Sequence, residues 1–378
     1  MPSFTRIGII GCGARLRYVL RNLLKAAPPG SIQIAAAYDP SPDSIRALRE
    51  ELGISFAEEG SEQALVQRPD VDWVFIGSWN SQHARQAIAA LRAGKHVFCE
   101  KPLATTLEDC FAIRAAAEKS GRTFAFGLVL RYSPFYQKVH EIVSSGQLGK
   151  LISFEFNETI GFNHGGYIFG NWRRKSENSG SHLLEKCCHD LDLANWIVDS
   201  LPVRVASFGG LDFYVPGNAH HVERIGPNSE GKAAYSTWAD SKRVSPFSEG
   251  CDIIDNQVAI LEYANGVRAT FHTNCNAGIL ERRFYICGSE GALRGDAITG
   301  VIEVQRIGLE SAPVKIDLGI AGGHAGGDEV MAASLVETLL NGKPPLASVN
   351  EGVRSCAVAL AIDQAMHEGR VVTLVPLS

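Results

Sequence analysis

A pair of glycines separated by one residue lies between an apolar run at residues 6–11 and an amphipathic pattern at residues 16–24. These patterns predict a strand, a turn and a helix. The first glycine permits a tight turn, and the second lets a pyrophosphate approach the backbone beside the free N–H groups of the helix N-terminus. Because Leu16 replaces the third glycine of the full fingerprint, a plain tight turn is the alternative. The dinucleotide contacts predicted here are Gly11, Gly13, Ala14 and Arg15.

Asp39 follows the next predicted strand, at residues 32–38. A carboxylate at this point can accept hydrogen bonds from both ribose hydroxyls and would repel the additional phosphate of NADP. The alternative is a turn-starting aspartate before Pro40. Arg15 could reach a phosphate and so soften the preference. The predicted cofactor is therefore NAD, with NADP possible.

Glu100-Lys101-Pro102 lies at the carboxyl end of a predicted strand, where open parallel sheets bind ligands. Pro102 disfavours helical geometry at Lys101. Partial burial beside a cationic nicotinamide would disfavour the charged form of this lysine, which could then exchange a proton with a substrate hydroxyl. The alternative is a surface Glu–Lys pair before a proline.

Residues 181–198 predict a helix with a polar stripe opposite an apolar one. The polar stripe contains His182, Glu185, Lys186, His189, Asp192 and Trp196. His189 can donate to or accept from a substrate hydroxyl and titrates near neutral pH. Asp192, about one turn later, could orient the imidazole of His189. A solvated polar face is the alternative.

The same helix contains potential metal ligands in Glu185, Cys188, His189 and Asp192. Cys188 projects away from the polar stripe, and no second ligand cluster is evident in the sequence. We therefore predict no metal site and disfavour zinc-dependent alcohol dehydrogenation.

Strand and helix patterns alternate through residues 1–130, which predicts a doubly wound parallel sheet of the Rossmann type. From residue 131 to 378, period-two patterns predict a domain built on a large, mostly antiparallel open sheet, with Asn265-Gly266 as a hairpin turn. The fold class is thus α/β followed by α+β. The loop-like stretch 216–250 is not assigned to an element.

Composition excludes several classes of protein. The chain has 378 residues and a net charge of −5, which gives no electrostatic footprint for nucleic acid or an acidic membrane. The nine cysteines form no C-x-x-C pair and indicate free thiols in a reducing compartment. The N-terminal residues show no signal peptide, and apolar runs are too short to span a bilayer. A cytoplasmic globular protein is expected.

The ordered motifs resemble the glucose–fructose oxidoreductase / inositol dehydrogenase (Gfo/Idh/MocA) family. The resemblance rests on Ser78-Trp-Asn-Ser-Gln-His83 and Ala93-Gly-Lys-His-Val-Phe-Cys-Glu-Lys-Pro-Leu103, and it continues through Asn171-Trp-Arg173 to the helix of His189. It implies a catalytic Lys101, and an acid at position 185, where the family usually has Asp and this chain has Glu. The further cofactor-side residues predicted with it are Ser78, Asn80, His83, Glu100, Arg131, Trp172 and Arg173.

We therefore expect an NAD(P)-dependent oxidoreductase that transfers a hydride from a secondary hydroxyl of a sugar, sugar derivative or cyclitol. Lys101 and His189 would move the proton, and Glu185 and Asp192 would complete the catalytic set. One alternative is an NAD-dependent glycosidase that oxidises transiently, eliminates and returns the hydride. Another is a non-catalytic nucleotide-binding sensor or partner-binding protein. The resemblance also implies a homodimer or homotetramer.

Overall fold

The computed structural model describes residues 4–236, 243–320, 324–375 and 377. Its chain divides into two compact units. The first contains Met1–Ser133 and Gly326–Cys356, and the second contains Pro134–Ala325 and Ala357–Ser378. The sequence division at residue 130 places residues 131–133 and 326–356 in the second domain, whereas both stretches belong to the first unit of the structure.

The first unit is built on a six-stranded parallel sheet, which confirms the predicted Rossmann-type architecture. Its strands are β1 (Thr5–Ile10), β2 (Ile32–Tyr38), β3 (Ala57–Glu58), β4 (Trp73–Ile76), β5 (His96–Cys99) and β6 (Phe124–Phe126). Its helices before residue 133 are α1 (Ala14–Ala26), α2 (Pro42–Leu52), α3 (Glu62–Gln67), α4 (His83–Arg92) and α5 (Leu107–Ser120). The strand order is β3-β2-β1-β4-β5-β6.

This order places a topological switch point between β1 and β4, where the chain changes the direction in which it adds strands. Such a switch point leaves a crevice at the carboxyl ends of the strands, because the connecting helices diverge there. Strand β4 is apolar throughout, as burial on both faces of a parallel sheet requires. Val74, Phe75 and Ile76 in β4 are fully inaccessible to solvent.

The second unit is built on a nine-stranded sheet in the order β14-β13-β12-β11-β7-β10-β9-β8-β15. Its strands up to residue 317 are β7 (Leu151–Gly161), β8 (Pro202–Gly210), β9 (Asn256–Tyr263), β10 (Arg268–Ala277), β11 (Arg283–Gly288), β12 (Gly291–Asp296), β13 (Val301–Arg306) and β14 (Val314–Asp317). Its helices are α6 (Pro134–Ser144), α7 (Phe162–Phe169), α8 (Ser176–Ser179), α9 (His182–Val198) and α10 (His221–Ile225). Neighbouring strands are antiparallel except β7 and β10, so the mostly antiparallel sheet is confirmed.

The last part of the chain contributes to both units. It contains α11 (Gly327–Asn341), α12 (Val349–Glu368) and β15 (Val372–Thr373). Helix α11 packs against α1 within the first unit, and the Thr5 hydroxyl of β1 donates a hydrogen bond to the Leu339 carbonyl oxygen at 3.1 Å. Residues 326–356 therefore complete the packing of the first unit.

One face of the large sheet is covered and the other is open. Along β9 and β10 the buried residues alternate with exposed ones, because successive side chains of a strand point to opposite faces. Leu261 and Phe271 point inward, whereas Val258 and Ile260 are exposed on the open face. The predicted hairpin lies between these strands, with Gly266 at φ +88°.

Helix α9 is buried on nearly every side, including the polar stripe. His182, Glu185, His189 and Asp192 are all less than one-tenth exposed. The structure therefore excludes a solvated polar face for this stripe.

Other features of the described residues bear on the sequence expectations. The nine cysteines are free thiols. Residues 216–250 contain α10 and a short 3-10 turn at Pro216–Asn218, while residues 237–242 lie outside the described ones. Among the helices that the structure describes, none has the length and apolar character needed to cross a membrane.

Candidate active site

The glycine turn has the geometry that a dinucleotide phosphate requires. Gly11 has φ +85°, and a Cβ there would lie 2.4 Å from the Ser78 backbone nitrogen, so the turn tolerates only glycine. At Gly13 an added Cβ would meet only the Gly77 carbonyl oxygen, at 3.7 Å, which leaves the approach to the turn open. Gly13 caps α1 without a side-chain hydrogen bond, and Ala14 begins the helix. The N-terminus of α1 thus fits a phosphate, which it would bind through backbone N–H groups.

Asp39 is fixed at the end of β2 by two backbone N–H groups. The Cys12 nitrogen donates to Oδ2 at 2.7 Å and the Ser41 nitrogen donates to Oδ1 at 2.8 Å. The first of these bonds joins the carboxylate to the glycine turn. Each carboxylate oxygen can accept more than one hydrogen bond, so the arrangement also fits a ribose diol.

The loop after β4 lies beside the glycine turn and is held by buried polar groups. Ser78 donates to Gln86 Oε1 at 2.6 Å, and Asn80, which is buried, begins a 3-10 turn. His83 places Nδ1 2.7 Å from the Pro102 carbonyl oxygen and Nε2 3.2 Å from that of Ser78. Burial lowers the pKa of His83. This imidazole therefore joins the loop after β4 to the Glu-Lys-Pro segment.

Lys101 follows β5, one strand beyond the Ser78 loop. The strand order therefore aligns four consecutive carboxyl ends, those of β2, β1, β4 and β5. They carry Asp39, Gly11, Ser78 and Glu100 in that order. Three spacings between strands separate the first from the last, roughly 14 Å. A row of this length fits an extended dinucleotide.

Glu100 is buried and is held from two sides. Arg15 donates from Nε to Oε1 at 3.0 Å, and the Lys101 backbone nitrogen lies 3.3 Å from Oε2. A second nitrogen of Arg15, Nη1, donates to Asp328 Oδ1 at 2.6 Å. The described partners of Arg15, which was predicted to contact the cofactor, are thus two carboxylates.

Arg131 lies in the 3-10 turn Val129–Tyr132 of the first unit and is buried. Burial raises the pKa of Glu351, but hydrogen bonds from Ser348 and the charge of Arg131 outweigh that effect and lower it. The guanidinium of Arg131 is therefore near an acid that the sequence did not associate with it.

The second unit contains the remaining predicted residues. Arg173 donates from Nε to Glu185 Oε1 at 2.8 Å and from Nη1 to the Tyr167 hydroxyl at 3.2 Å. Its guanidinium carbon lies 4.3 Å from the centre of the Trp172 ring, in cation–π geometry. Predicted cofactor and catalytic residues therefore form one cluster around Arg173.

His189 and Asp192 are buried three residues apart on α9. The imidazole of His189 lies 6.3 Å, centre to centre, from that of His324. His324 belongs to a glycine-rich segment that includes residues 321–323, which lie outside the described ones. The positions of His189 and His324 in the sequence did not predict that their rings lie close together.

A cluster of potential metal ligands lies between α9 and β7, where the ligand atoms of Glu158, Cys187 and Asp190 come within 4.8 Å of one another. Both Asp190 oxygens accept from Arg282 at 2.8 Å, and Lys186 lies 3.1 Å from Glu158 Oε1. Since Arg282 and Lys186 already supply the positive charge, this donor set does not fit a cation. It is a buried ion-pair network instead.

Sequence reasoning missed two residues of the first-unit cluster. Asp328 is separated from Arg15 by 313 residues, so no local pattern could have joined them. Gly127 is the other, because a Cβ there would lie 3.0 Å from Glu100 Oε2. A small residue directly after β6 was the only available signal.

Comparison with known proteins agrees with this geometry. Residues 5–128 match the family described as an oxidoreductase family with an NAD-binding Rossmann fold, and residues 140–374 match its C-terminal alpha/beta domain. The 1,5-anhydro-D-fructose reductase of Ensifer adhaerens is 25% identical over 338 residues, covering 86% of this chain and 89% of that protein. Inositol 2-dehydrogenase of Gluconacetobacter diazotrophicus is 32% identical over 197 residues, covering 51% and 54%.

Among solved structures, levoglucosan dehydrogenase in complex with NADH and levoglucosan has a similar fold. Its TM-score is 0.80 at 18% identity, with 99% of this chain and 100% of that chain covered. The two family matches together cover most of the chain. The protein therefore belongs to the Gfo/Idh/MocA oxidoreductase family and carries its NAD-binding Rossmann domain.

Proposed function

We propose that the protein is an NAD(P)-dependent dehydrogenase acting on a secondary hydroxyl of a sugar, sugar derivative or cyclitol. The observation that carries the proposal is the row of strand ends, in which Lys101 follows the strand next to the Ser78 loop and Asp39 lies at the other end. A lysine in this position is placed for proton transfer where a dinucleotide would present its reactive ring.

The residues divide into binding and proton-transfer groups. The backbone of Gly11 to Ala14 would bind the pyrophosphate, and Asp39 the adenosine ribose. Bound NAD(P) supplies the acceptor for the hydride released when the carbinol C–H bond breaks. Lys101 accepts the proton as the O–H bond breaks and the carbonyl forms, and His189 takes part in this proton transfer.

Glu185 and Asp192 have supporting roles in the proposal. Glu185 holds Arg173 beside Trp172, and Asp192 orients the imidazole of His189 from the next turn of α9. The relatives named as acting on anhydrofructose and inositol support a polyhydroxylated substrate.

The test is a panel of sugars, glycosides, anhydrosugars and inositols offered with NAD and with NADP, following both the absorbance of the reduced nicotinamide and the loss of each substrate. A dehydrogenase gives stoichiometric NADH with at least one member. Loss of a glycoside without accumulation of NADH would instead indicate the redox-neutral glycosidase. Binding of NAD with no turnover on any member would favour a sensor.

The Lys101→Met variant tests the proposed role of Lys101 in proton transfer. Turnover should fall by roughly 10²-fold or more while NAD binding changes little, because the amine acts on the substrate proton. Lys119→Met, on the exposed end of α5, is the matched control. Normal turnover in Lys101→Met would contradict the proposed role.

We also propose that the open face of the large sheet pairs with a second copy of the chain in the cytoplasm. Phe208 on β8 lies beside Val258 on β9, and Ile260 is two residues further along the same face. The three are 73%, 47% and 61% exposed. Contiguous exposed apolar residues of this kind mark interaction surfaces.

A further inference from the structure

Arg15 connects three segments of the first unit that are remote in sequence. It lies in the first turn of α1, directly after the glycine turn. Its Nε donates to Glu100 at the end of β5, and its Nη1 donates to Asp328 in the first turn of α11. Because a guanidinium is a rigid planar fork, these two bonds fix the direction of both carboxylates relative to α1.

Glu100 has little freedom in this arrangement. Its side chain is almost entirely buried, and its carboxylate lies against the backbone of Gly127, where even a Cβ would approach to 3.0 Å. A buried carboxylate requires a positive partner. Among the described contacts, Arg15 supplies the ion pair, and the bond from the Lys101 backbone nitrogen joins the carboxylate to the catalytic residue's own main chain.

The third nitrogen of Arg15, Nη2, is directed at neither carboxylate. Nη2 is buried and makes no hydrogen bond to the described protein atoms. Burial lowers the pKa of Arg15, but the carboxylates of Glu100 and Asp328 outweigh that effect and raise it. The guanidinium is therefore a permanent cation, and two of its three nitrogens are directed at protein carboxylates.

We propose that Arg15, held by Asp328, is a positioning residue that orients Glu100 and neutralises its charge beside Lys101, and is not a ligand for the cofactor phosphates. This inference rests on the proposed function, since it assigns Lys101 the proton transfer. In this proposal the carboxylate of Asp328 offsets part of the positive charge of Arg15.

Removing Arg15 and removing Asp328 should shift the protonation of Lys101 in opposite directions, which can be tested. The charged and titratable groups that reach this strand end within the first unit include Arg15 from α1, His83 from α4 and Asp328 from α11, together with Glu100. Without Arg15, the unneutralised Glu100 favours the ammonium form of Lys101. Without Asp328, the charge of Arg15 is less compensated and favours the free amine.

The experiment measures the protonation of Lys101 directly and needs no substrate. Lys101 is labelled with acetic anhydride as a function of pH and quantified by peptide mass spectrometry. In Arg15→Met the labelling midpoint should move up by about one pH unit, and in Asp328→Asn it should move down. Arg15→Lys should return the midpoint part of the way. Arg21→Met, which removes another arginine of α1 paired with Glu51, should leave it unchanged.

Two further measurements separate positioning from binding. Calorimetric affinity for NAD should change less than about threefold in Arg15→Met, while kcat falls by roughly 10²-fold with the acid limb of the pH profile moved upward. Weakened NAD affinity with an unmoved labelling midpoint would make Arg15 a phosphate ligand and overturn the proposal. So would midpoints that move the same way in Arg15→Met and Asp328→Asn. If no sugar is oxidised by the native protein, the proposed function fails, yet the labelling result still decides the arrangement of charges.

Discussion

Arg173 and Glu185 form an ion pair at 2.8 Å in which the arginine also packs over the Trp172 ring. The sequence placed these residues in separate roles, one near the cofactor and the other as a catalytic acid. In the folded protein the carboxylate of Glu185 accepts a hydrogen bond from the guanidinium of Arg173. Neither residue can be altered without affecting the other.

The first prediction follows from this pair. Arg173→Met and Glu185→Gln should each lower the free energy of unfolding by about 3 kcal/mol, because each leaves a buried partner uncompensated. The double variant should lose much less than the sum of the single losses. Denaturant unfolding of the four proteins measures this coupling. Strict additivity would show that the pair contributes nothing to stability.

The second prediction concerns the choice of cofactor. Asp39→Asn keeps an acceptor for the Ser41 nitrogen but removes the charge that repels a 2′-phosphate, so the ratio of NADP to NAD affinity should rise by about tenfold. Titration with both cofactors measures the ratio. Asp43→Asn, an exposed acid at the start of α2 paired with Arg46, is the control and should leave it unchanged. An unaltered ratio in Asp39→Asn would remove Asp39 from the ribose site.

The third prediction tests the open face of the sheet. Ile260→Glu places a charge in the centre of the exposed apolar patch and should convert the oligomer to a smaller species, because burying an unpaired carboxylate in an interface is unfavourable. Light scattering coupled to size exclusion measures the mass. Ile307→Glu, at an exposed apolar residue just after β13, should keep the native mass. A native chain that is already monomeric would contradict the proposed self-association.

The fourth prediction is a pH dependence of stability. His182 is buried against Cys275 Sγ at 3.3 Å and Thr273 Oγ1 at 3.4 Å, and burial lowers its pKa to about 4. The folded protein therefore excludes a proton that the unfolded chain binds below about pH 6.5. Stability from this group is complete above that pH and is lost as the pH falls toward 4, by on the order of 3 kcal/mol.

The variant His182→Gln should remove this component of the acid slope. Asp363 has the opposite effect over part of the range, because burial raises its pKa to about 6 and its contribution is lost as the pH rises. Subtracting the unfolding free energies of native protein and variant at each pH cancels that contribution. An identical slope in the two proteins would show that His182 does not titrate in this range.

Local patterns predicted those parts of the fold that are encoded over short distances. The apolar run before Gly11 became β1, and the period-two alternation around Ile260 became β9. Strand β12 was not predicted because Gly291 and Gly295 interrupt its apolar positions. Strand β3 has only two residues, Ala57 and Glu58, which is too short for any periodicity.

In the candidate site too, local patterns predicted some residues, whereas contacts between remote segments were not predicted. Residue types identified Asp39 and Lys101, and the strand order places their segments in one row. The contact of Arg15 with Asp328 depends on the return of the chain to the first unit after residue 325. The burial of the polar stripe on α9 depends on elements packed around it, which the helix alone does not encode.

The bond from the Thr5 hydroxyl to the Leu339 carbonyl has a consequence for synthesis. Strand β1 and helix α1 are made before α11, which packs against α1 and is translated some 300 residues later. During that interval the surface of α1 that α11 will cover must be kept from aggregating. The first unit can therefore complete its folding only after α11 has emerged from the ribosome.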